Sequence, residues 1–287
     1  MKKSFLFLVF VLCGISGIAA AGGEDLAVNP FPSGEKIILS RDDPRVGDGI
    51  AVLCGISNLG AGEATGKVSF YDNGEKIGAF PLQDLLPGAG GLFSQVAYAF
   101  WHPLTEGAHL LKVEVEIGGN LLDGNEKNNQ ARLFVNVEGV TREVEHRRIL
   151  KNLLGKPTLE CREKDLKFVV LDRVSWPPDQ HPPRPVLKEA WVIASIRNLG
   201  YGPVAVSGIT LSADGEAPSA PGADKLSPLA TSDSSLSPGI SGTVLFRLTP
   251  RKAGKQTIAV MGEKRSLLSR LLEIPAPCAD QWPVGRK

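Results

Sequence analysis

Alternating apolar and polar residues recur along this chain and predict β-strands rather than helices. The clearest stretch is His109–Ile117, in which leucine, valine and isoleucine occupy alternate positions and lysine or glutamate separates them. A strand with this period buries one face and exposes the other to water. The same alternation returns near residue 131, where the predicted inward positions are Ala131, Leu133, Val135 and Val137.

A short motif at the end of an apolar strand occurs twice. Asn58–Gly62 reads Asn-Leu-Gly-Ala-Gly, and Asn198–Gly202 reads Asn-Leu-Gly-Tyr-Gly, 140 residues later. Both copies are followed by a two-residue hairpin signal, Asn73-Gly74 in the first and Asp214-Gly215 in the second. Repetition at this spacing indicates two successive domains with the same order of strands and turns.

The two copies predict the same succession of strands, and the fold class is therefore all-β, with two tandem β-sandwiches. The first copy opens with Leu26–Asn29 and Ile37–Ser40, and the second is predicted to close with Ser266–Ile274. The other predicted strands are Ile50–Ser57, Lys67–Asp72, Phe93–Phe100 and His109–Ile117 in the first copy, and Ala190–Arg197, Gly208–Ala213, Thr243–Leu248 and Lys255–Met261 in the second.

The first copy ends in a polar turn, Asp123–Asn129, which reads Asp-Gly-Asn-Glu-Lys-Asn-Asn. Together with the Asn-Leu-Gly turn, this signature resembles CARDB, the cell-adhesion-related domain found in bacteria, over Asp25–Val137. The resemblance implies an immunoglobulin-like β-sandwich that presents a rigid surface for contacts and carries out no catalysis. The second copy lacks the Asn-rich turn and is expected to be a divergent CARDB-like or immunoglobulin-like repeat.

The N-terminus has the parts of a secretory signal peptide. Lys2 and Lys3 precede an apolar run, Phe5–Leu12, and small residues lead up to Ala21, after which cleavage is expected. A retained membrane anchor is the alternative, but an anchor needs about 20 mainly apolar residues, and glycine and serine interrupt this run. The chain is therefore expected to be secreted or periplasmic, with no membrane insertion after cleavage.

The predicted domain plan has five parts: a signal peptide (1–21), a CARDB-like sandwich (24–138), a linker (139–160), a second immunoglobulin-like sandwich (161–278) and a C-terminal tail (279–287). A short helix is predicted in the linker because four residues share one helical face. These residues are His146, Ile149, Leu150 and Leu153. The basic residues around that face suit either a contact with a membrane or partner, or a helix packed in the interdomain joint.

Composition narrows the classes of partner. The chain has 32 basic and 31 acidic residues and a net charge of +1, so no strong field attracts nucleic acid or an anionic membrane. Protein or carbohydrate at the cell envelope is the expected partner. Trp191 is predicted to point away from the core face of its strand, so it packs either under a loop or the linker, or in an interface.

Three cysteines follow the predicted signal peptide. Cys54 takes a small inward position in its strand and is expected to be a buried free thiol. Cys161 and Cys278 flank the second domain, and in an oxidising compartment they either pair with each other or form intermolecular bonds. An intramolecular bridge would close a loop long enough to stabilise the domain by about 4–5 kcal/mol.

The polar turn Asp123–Asn129 offers oxygen ligands of the kind that Ca²⁺ accepts. A calcium site there would use Asp123, Asn125, Glu126 and Asn129. The alternative is structural, because Asn and Asp side chains also hold tight turns by bonding nearby backbone groups, and the spacing does not match an EF-hand loop. No other cofactor is expected.

The sequence after the predicted signal peptide lacks the motifs of familiar enzymes. It has no Gly-x-Ser-x-Gly nucleophile turn, no His-Glu-x-x-His zinc motif and no phosphate-binding glycine loop. The four histidines lie on different predicted elements, without the spacing of paired metal ligands. The chain is therefore expected not to be an enzyme.

These observations favour an exported, noncatalytic binding or adhesion module that presents loops to protein or carbohydrate at the bacterial envelope. The loops Asn120–Asn129 and Glu216–Ser237 are the predicted recognition sites. The alternative function is a periplasmic accessory subunit of an enzyme or of a transport or secretion complex. Such a subunit would dock through Gly139–Pro157.

Overall fold

The computed structural model describes residues 25–87, 92–119, 125–140, 157–173, 187–213, 225–248, 254–262 and 266–274. Within these ranges the regular structure is β-strand, apart from three short 3₁₀ turns, which confirms the all-β class. None of the helices described there has the length and apolar character needed to span a membrane. The predicted signal peptide and the core of the predicted linker helix, residues 141–156, lie outside the described ranges.

The first sandwich consists of two sheets of four strands each. Its strands are β1 (Leu26–Asn29), β2 (Ile37–Leu39), β3 (Ile50–Asn58), β4 (Ala64–Asp72), β5 (Glu75–Leu85), β6 (Gln95–Trp101), β7 (Gly107–Ile117) and β8 (Gln130–Val137). One sheet, called the outer sheet because it faces away from the second sandwich, has the order β5-β4-β7-β8, and the other is called the inner sheet. In the inner sheet, β1 and β2 pair with one side of β3 and β6 pairs with the other.

The second sandwich repeats this plan. Its strands are β9 (Leu159–Glu160), β10 (Leu166–Arg173), β11 (Leu187–Asn198), β12 (Val204–Ala205), β13 (Thr210–Ala213), β14 (Lys225–Leu226), β15 (Ala230–Thr231), β16 (Ser235–Leu236), β17 (Ser241–Leu248), β18 (Gly254–Met261) and β19 (Ser266–Ile274). The inner sheet has the order β10-β11-β17-β15, and β9 pairs with the end of β11. The outer sheet has the order β14-β13-β18-β19, and β12 and β16 form a two-stranded ribbon.

The structure confirms the predicted strands, including β19, and adds others that the sequence pattern did not predict. β5 was missed because it contains Pro81 and bends at Asp84, whose φ is 50°. β10 was missed although it is rich in apolar residues. The segment Glu216–Ser237 was predicted to be a loop, but it contains β14, β15 and β16, which at two residues each are too short to leave a periodic pattern.

Each sandwich encloses its own apolar core. In the first, the predicted inward positions of β3 face the outer sheet, and these residues are Ile50, Val52, Cys54 and Ile56. In the second, the equivalent positions of β11 are Ala190, Val192, Ala194 and Ile196. Cys54 is fully buried and free, as predicted, and burial raises the pKa of its thiol.

The repeated Asn-Leu-Gly turn is held by the asparagine side chain. Asn58 is completely buried, and its Nδ2 donates to the carbonyl oxygens of Gly62 at 2.7 Å and Leu85 at 2.8 Å. Its Oδ1 accepts the N–H of Gly60 at 3.0 Å. One side chain thus closes the turn and ties it to the end of β5.

Asn198 makes the same three bonds in the second sandwich. Its Nδ2 donates to the carbonyls of Gly202 at 2.7 Å and Leu236 at 3.0 Å, and its Oδ1 accepts the N–H of Gly200 at 3.0 Å. The sequence repeat therefore reflects one hydrogen-bonding arrangement used twice.

Replacing Asn58 or Asn198 by alanine is expected to lower the free energy of unfolding by about 2–4 kcal/mol, because buried backbone groups lose their partner. Urea denaturation measures this change. Asn136→Ala, at an exposed asparagine on β8, is the control and should change stability by less than about 0.5 kcal/mol. If Asn58→Ala and Asn198→Ala both change the free energy of unfolding as little as the control does, the asparagine hydrogen bonds do not stabilise the repeated turns.

A third apolar layer joins the two sandwiches through their inner sheets. All nine residues of β3 are buried, because Ala51 and Leu53 face the second sandwich while their neighbours face the first core. On β11, Trp191 and Ile193 face back toward them. The four sheets therefore stack in the order outer, inner, inner, outer, and Trp191 occupies an interface, one of the positions that its sequence left open.

Gly49 allows the two sandwiches to approach closely at the edge of this layer. Its N–H donates to the carbonyl of Ser241 at 2.8 Å, and Thr243 Oγ1 donates to its carbonyl at 2.8 Å. A Cβ atom at this position would lie 2.3 Å from Ser232 Oγ and from Asp233 Oδ2. A larger residue would therefore push the two sandwiches apart.

Trp191→Ala is expected to lower the free energy of unfolding by about 3–5 kcal/mol, because it opens a cavity in the interdomain layer. Since both sandwiches contribute to that layer, heat should unfold the wild-type chain in one transition, and the whole transition should move down in the variant. Differential scanning calorimetry measures both effects.

The control for this experiment is Leu104→Ala, because Leu104 is 84% exposed. It should leave the transition nearly unchanged. Two independent wild-type transitions, of which Trp191→Ala moves one, would show that the interdomain layer does not couple the sandwiches.

Candidate functional site

A cleft of about 780 Å³ opens beside the interdomain layer. β2 and the turn before it, together with β8, line it from the first sandwich. β10 lines it from the second, with Arg270 of β19. Binding sites for small ligands measure about 300–1,000 Å³, so the cleft has room for a small molecule or for a segment of a larger partner.

Charged side chains line the cleft, with cations in excess. They are Lys36, Arg132, Lys164, Lys167 and Arg270, against Glu35, Asp42 and Glu163. Three of the cations form ion pairs. Lys164 pairs with Asp43 at 2.8 Å, Lys167 pairs with Asp42, and Arg270 pairs with Glu163 at 3.9 Å. Lys36 and Arg132 make no ion pair with a carboxylate of the described residues, so they give this part of the cleft a positive charge.

Two phenylalanines provide aromatic surface along the cleft. Phe168, on β10, is half-buried, and the guanidinium of Arg270 lies 5.9 Å from its ring centroid. Phe134, on β8, is 79% exposed. The sequence pattern predicted the inward residues of β8 correctly but did not identify Phe134 as part of a surface. The signal that could have identified it is an aromatic residue on the otherwise polar face of the strand.

Buried charges hold the sandwiches together near the cleft. Arg41 is 2% exposed, donates from Nη1 to Ser241 Oγ at 2.6 Å and from Nε to Asp43 at 2.9 Å, and lies 3.8 Å from Asp48. Burial alone would raise the pKa of Asp43, but Lys164 and Arg41 outweigh it and lower the pKa to about 2. Burial raises the pKa of Asp48, although Arg41 opposes that shift.

A histidine forms another contact between the sandwiches. His102 Nε2 lies 3.2 Å from Asp233 Oδ1, and both side chains are partly exposed. The hydrogen bond to Asp233 raises the pKa of His102, although partial burial opposes the shift. The protonated imidazole is therefore the form that this contact favours.

Comparison with known families assigns the first sandwich. Residues 24–132 match the family model CARDB. The first sandwich is a CARDB domain. This agrees with the resemblance that the Asn-Leu-Gly turn and the polar closing turn indicated. CARDB is a noncatalytic domain family with an adhesion-related character.

Solved structures that resemble the chain include the CARDB domain of a Pyrococcus furiosus protein. Its crystal structure is a complex with di-metal ions. The two sequences are 24% identical, the match covers 42% of this chain and 97% of that chain, and the TM-score is 0.33. The solution structure of the same domain is 23% identical, covers 41% and 97%, and gives 0.30. Fibronectin(III)-like modules of Clostridium thermocellum CbhA are 11% identical, cover 83% and 92%, and give 0.22. A comparison with curated proteins found no match.

The described part of the polar closing turn of the CARDB domain stabilises local structure. Asn125 Oδ1 accepts the N–H of Lys127 at 3.3 Å at the start of a 3₁₀ turn, Glu126–Asn128, and Asn128 Nδ2 donates to Asp25 beside β1 at 2.9 Å. Asp123 lies outside the described residues, as does much of the loop Asn120–Asn129. Among the described residues no cluster of three His, Cys, Asp or Glu could hold a metal ion. The calcium site of Asp123, Asn125, Glu126 and Asn129 stays a prediction.

Cys161 belongs to the core of the second sandwich. It is 5% exposed, and burial, with Asp165 and Glu160 nearby, raises the pKa of its thiol to about 12. Cys278 lies outside the described residues, so the Cys161–Cys278 bond stays a prediction.

One His–Asp pair lies in the CARDB domain and serves its structure. His109 is buried, and its Nδ1 contacts Asp72 at 2.8 Å while Nε2 contacts the carbonyl of Thr105 at 3.1 Å. Trp101 Nε1 donates to the same Asp72 carboxylate at 3.0 Å. Both ring nitrogens of His109 are therefore engaged, and the network ties together the ends of β4, β6 and β7.

The pair between His102 and Asp233 predicts a dependence of stability on pH. Because folding raises the pKa of His102, its contribution is complete below pH 6.5 and is lost as the pH rises through the higher folded value. The contribution is at most about 1 kcal/mol, since both groups are partly exposed. Urea unfolding of wild type and His102→Gln should show a difference below pH 6.5 that shrinks at alkaline pH, and a constant difference would contradict this assignment.

Proposed function

We propose that this chain is an exported, noncatalytic binding or adhesion module of the bacterial envelope, and that the cleft between its sandwiches contacts a protein or carbohydrate partner. The main support for this proposal is that both sandwiches contribute residues to the wall of the cleft. β2 and β8 of the CARDB domain form one part of its wall and β10 of the second sandwich forms the other.

The interdomain layer supports this proposal because it fixes the two walls relative to each other. Arg41 and Lys167 reinforce the joint, since Arg41 bonds Ser241 and the Nζ of Lys167 donates to the carbonyl of Leu39 at 2.8 Å. A preformed surface loses little conformational freedom when it binds a partner.

Export is proposed from the N-terminal sequence. The two lysines, the apolar run Phe5–Leu12 and the small residues before Ala21 support cleavage after Ala21. Residues 22–287 follow this site in the sequence. The linker helix is likewise proposed from the helical spacing of its apolar residues.

Lys36→Glu is expected to weaken binding of the mature chain to envelope preparations of its native host by about three- to tenfold, because it reverses a charge at the cleft. Lys76→Glu is the matched control, since Lys76 is also exposed but lies on β5 at the other edge of the outer sheet. Co-sedimentation with the envelope fraction measures binding.

Protease treatment of the envelope fraction separates the two partner classes. Loss of binding after protease indicates a protein partner, and retention indicates a polysaccharide. Equal binding of wild type, Lys36→Glu and Lys76→Glu would show that the cleft is not the recognition surface.

A further inference from the structure

Among the described residues, no strand pairs with the outer edge of β8. β8 is the last strand of its sheet among the strands described, and it pairs with β7 in one uninterrupted register along its whole length. Exposed edges in natural sheets are usually protected by proline, lysine, bulges or a covering segment. β8 has no proline, its pairing with β7 has no bulge, and Arg132 is its single charged residue.

The opposite edge of the same sheet has these protections. β5 contains Pro81 and the left-handed Asp84, and its pairing with β4 shifts register at two places. Such an edge does not accept a regular additional strand. The contrast identifies β8 as the edge of this sheet that can pair with another strand.

The backbone of β8 presents regular bonding groups at that edge. The N–H of Val115 on β7 donates to the carbonyl of Asn129 at 2.8 Å, so the backbone groups of residue 129 point toward β7. Direction alternates along an antiparallel strand. The N–H and C=O groups of Arg132, Phe134 and Asn136 therefore point toward the open edge.

Glu138 confirms this direction. Its N–H donates to the carbonyl of Pro44 at 2.9 Å and its carbonyl accepts the N–H of Val46 at 3.0 Å, on the side away from β7. Both contacts lie just past Val137, the last residue of β8. The contacts with Pro44 and Val46 therefore mark the end of the open edge, which runs along β8 as far as Val137.

The sequence of β8 is complementary to itself. When two copies are aligned antiparallel about Phe134, the two Phe134 rings lie opposite each other on the outward face, and Arg132 lies opposite Asn136. On the inward face Leu133 lies opposite Val135. Like charges do not meet, whereas moving the centre by one residue places Phe134 opposite Arg132 or Asn136 and loses the aromatic pair.

We propose that this chain forms a two-fold symmetric dimer in which β8 pairs antiparallel with β8 of a second copy, centred on Phe134. The two four-stranded outer sheets then form one continuous sheet of eight strands. Because the same strand serves on both sides, the contact closes at two copies. The proposal goes beyond the proposed function, because it assigns a second copy of this chain to the edge of β8 and does not depend on what binds in the cleft.

Single cysteine substitutions test the register between the two copies of β8. They are introduced into a protein of residues 22–287 in which Cys278→Ser removes a native cysteine. In the dimer the two Cα atoms of residue 134 lie about 5.5 Å apart, whereas two copies of residue 132 are offset by about 13 Å along the strand. A short thiol cross-linker should dimerise Phe134→Cys, leave Arg132→Cys and Asn136→Cys monomeric alone, and join those two when mixed. No cross-linked product from the mixture of Arg132→Cys and Asn136→Cys, in which Phe134 is intact, or a dimer from either of these two variants alone, overturns the register.

Sedimentation velocity tests the dimer without introduced cysteines. The wild-type mature chain should pass from monomer to dimer as its concentration rises, and Phe134→Lys should weaken this association by at least about tenfold. Leu104→Lys is the matched control, because Leu104 is equally exposed but lies outside β8. A monomeric wild type, or equal association of the two lysine variants, overturns the proposal.

Failure of the dimer and failure of the cleft give different results. A monomeric wild type whose envelope binding is weakened by Lys36→Glu rejects the dimer and retains the binding cleft. A dimeric wild type whose envelope binding is unchanged by Lys36→Glu rejects the cleft and retains the dimer.

Discussion

The apolar layer between the two inner sheets is the contact on which the rest of the structure depends. Ala51 and Leu53 on one side and Trp191 and Ile193 on the other would be exposed in separate sandwiches. Their burial makes the central strands apolar on both faces, unlike the half-buried strands of the outer sheets. An interface of this apolar character holds neighbouring domains in a fixed arrangement.

The cleft lies where a short strand stands beside two longer ones. β2 has three residues, whereas β8 and β10 have eight each. β2 therefore covers only part of the length of these two strands. Buried Arg41 and close-packed Gly49 fix the distance between the sandwiches. The candidate site is thus a property of the packed pair, since neither sandwich alone supplies all its walls.

β8 combines two properties that natural sheets usually keep apart. It has a regular backbone edge with which no described strand pairs, and it carries an exposed aromatic ring on the face that water would normally solvate. Either property favours association. The single charge on the strand, Arg132, limits nonspecific pairing because it excludes alignments that place two copies of itself together.

The sequence by itself determined the repeated turns and most of the long strands of both sandwiches. The Asn-Leu-Gly turns were predictable because one buried asparagine satisfies the same three backbone groups in each copy. The half-buried strands and the CARDB assignment followed from a period of two residues and from short polar signatures. Such signals are local, so they survive in a single sequence.

Only the tertiary structure decided which surfaces meet. Trp191 was predicted to leave its own core, but its pairing with the other sandwich, like the contact between Arg41 and Ser241, joins residues far apart in the chain. Phe134 alternates with the inward residues of β8, but its place at an edge beside a cleft depends on the order of strands in the sheet. Contacts of this kind leave no periodic pattern, because they are fixed by the docking of whole sheets.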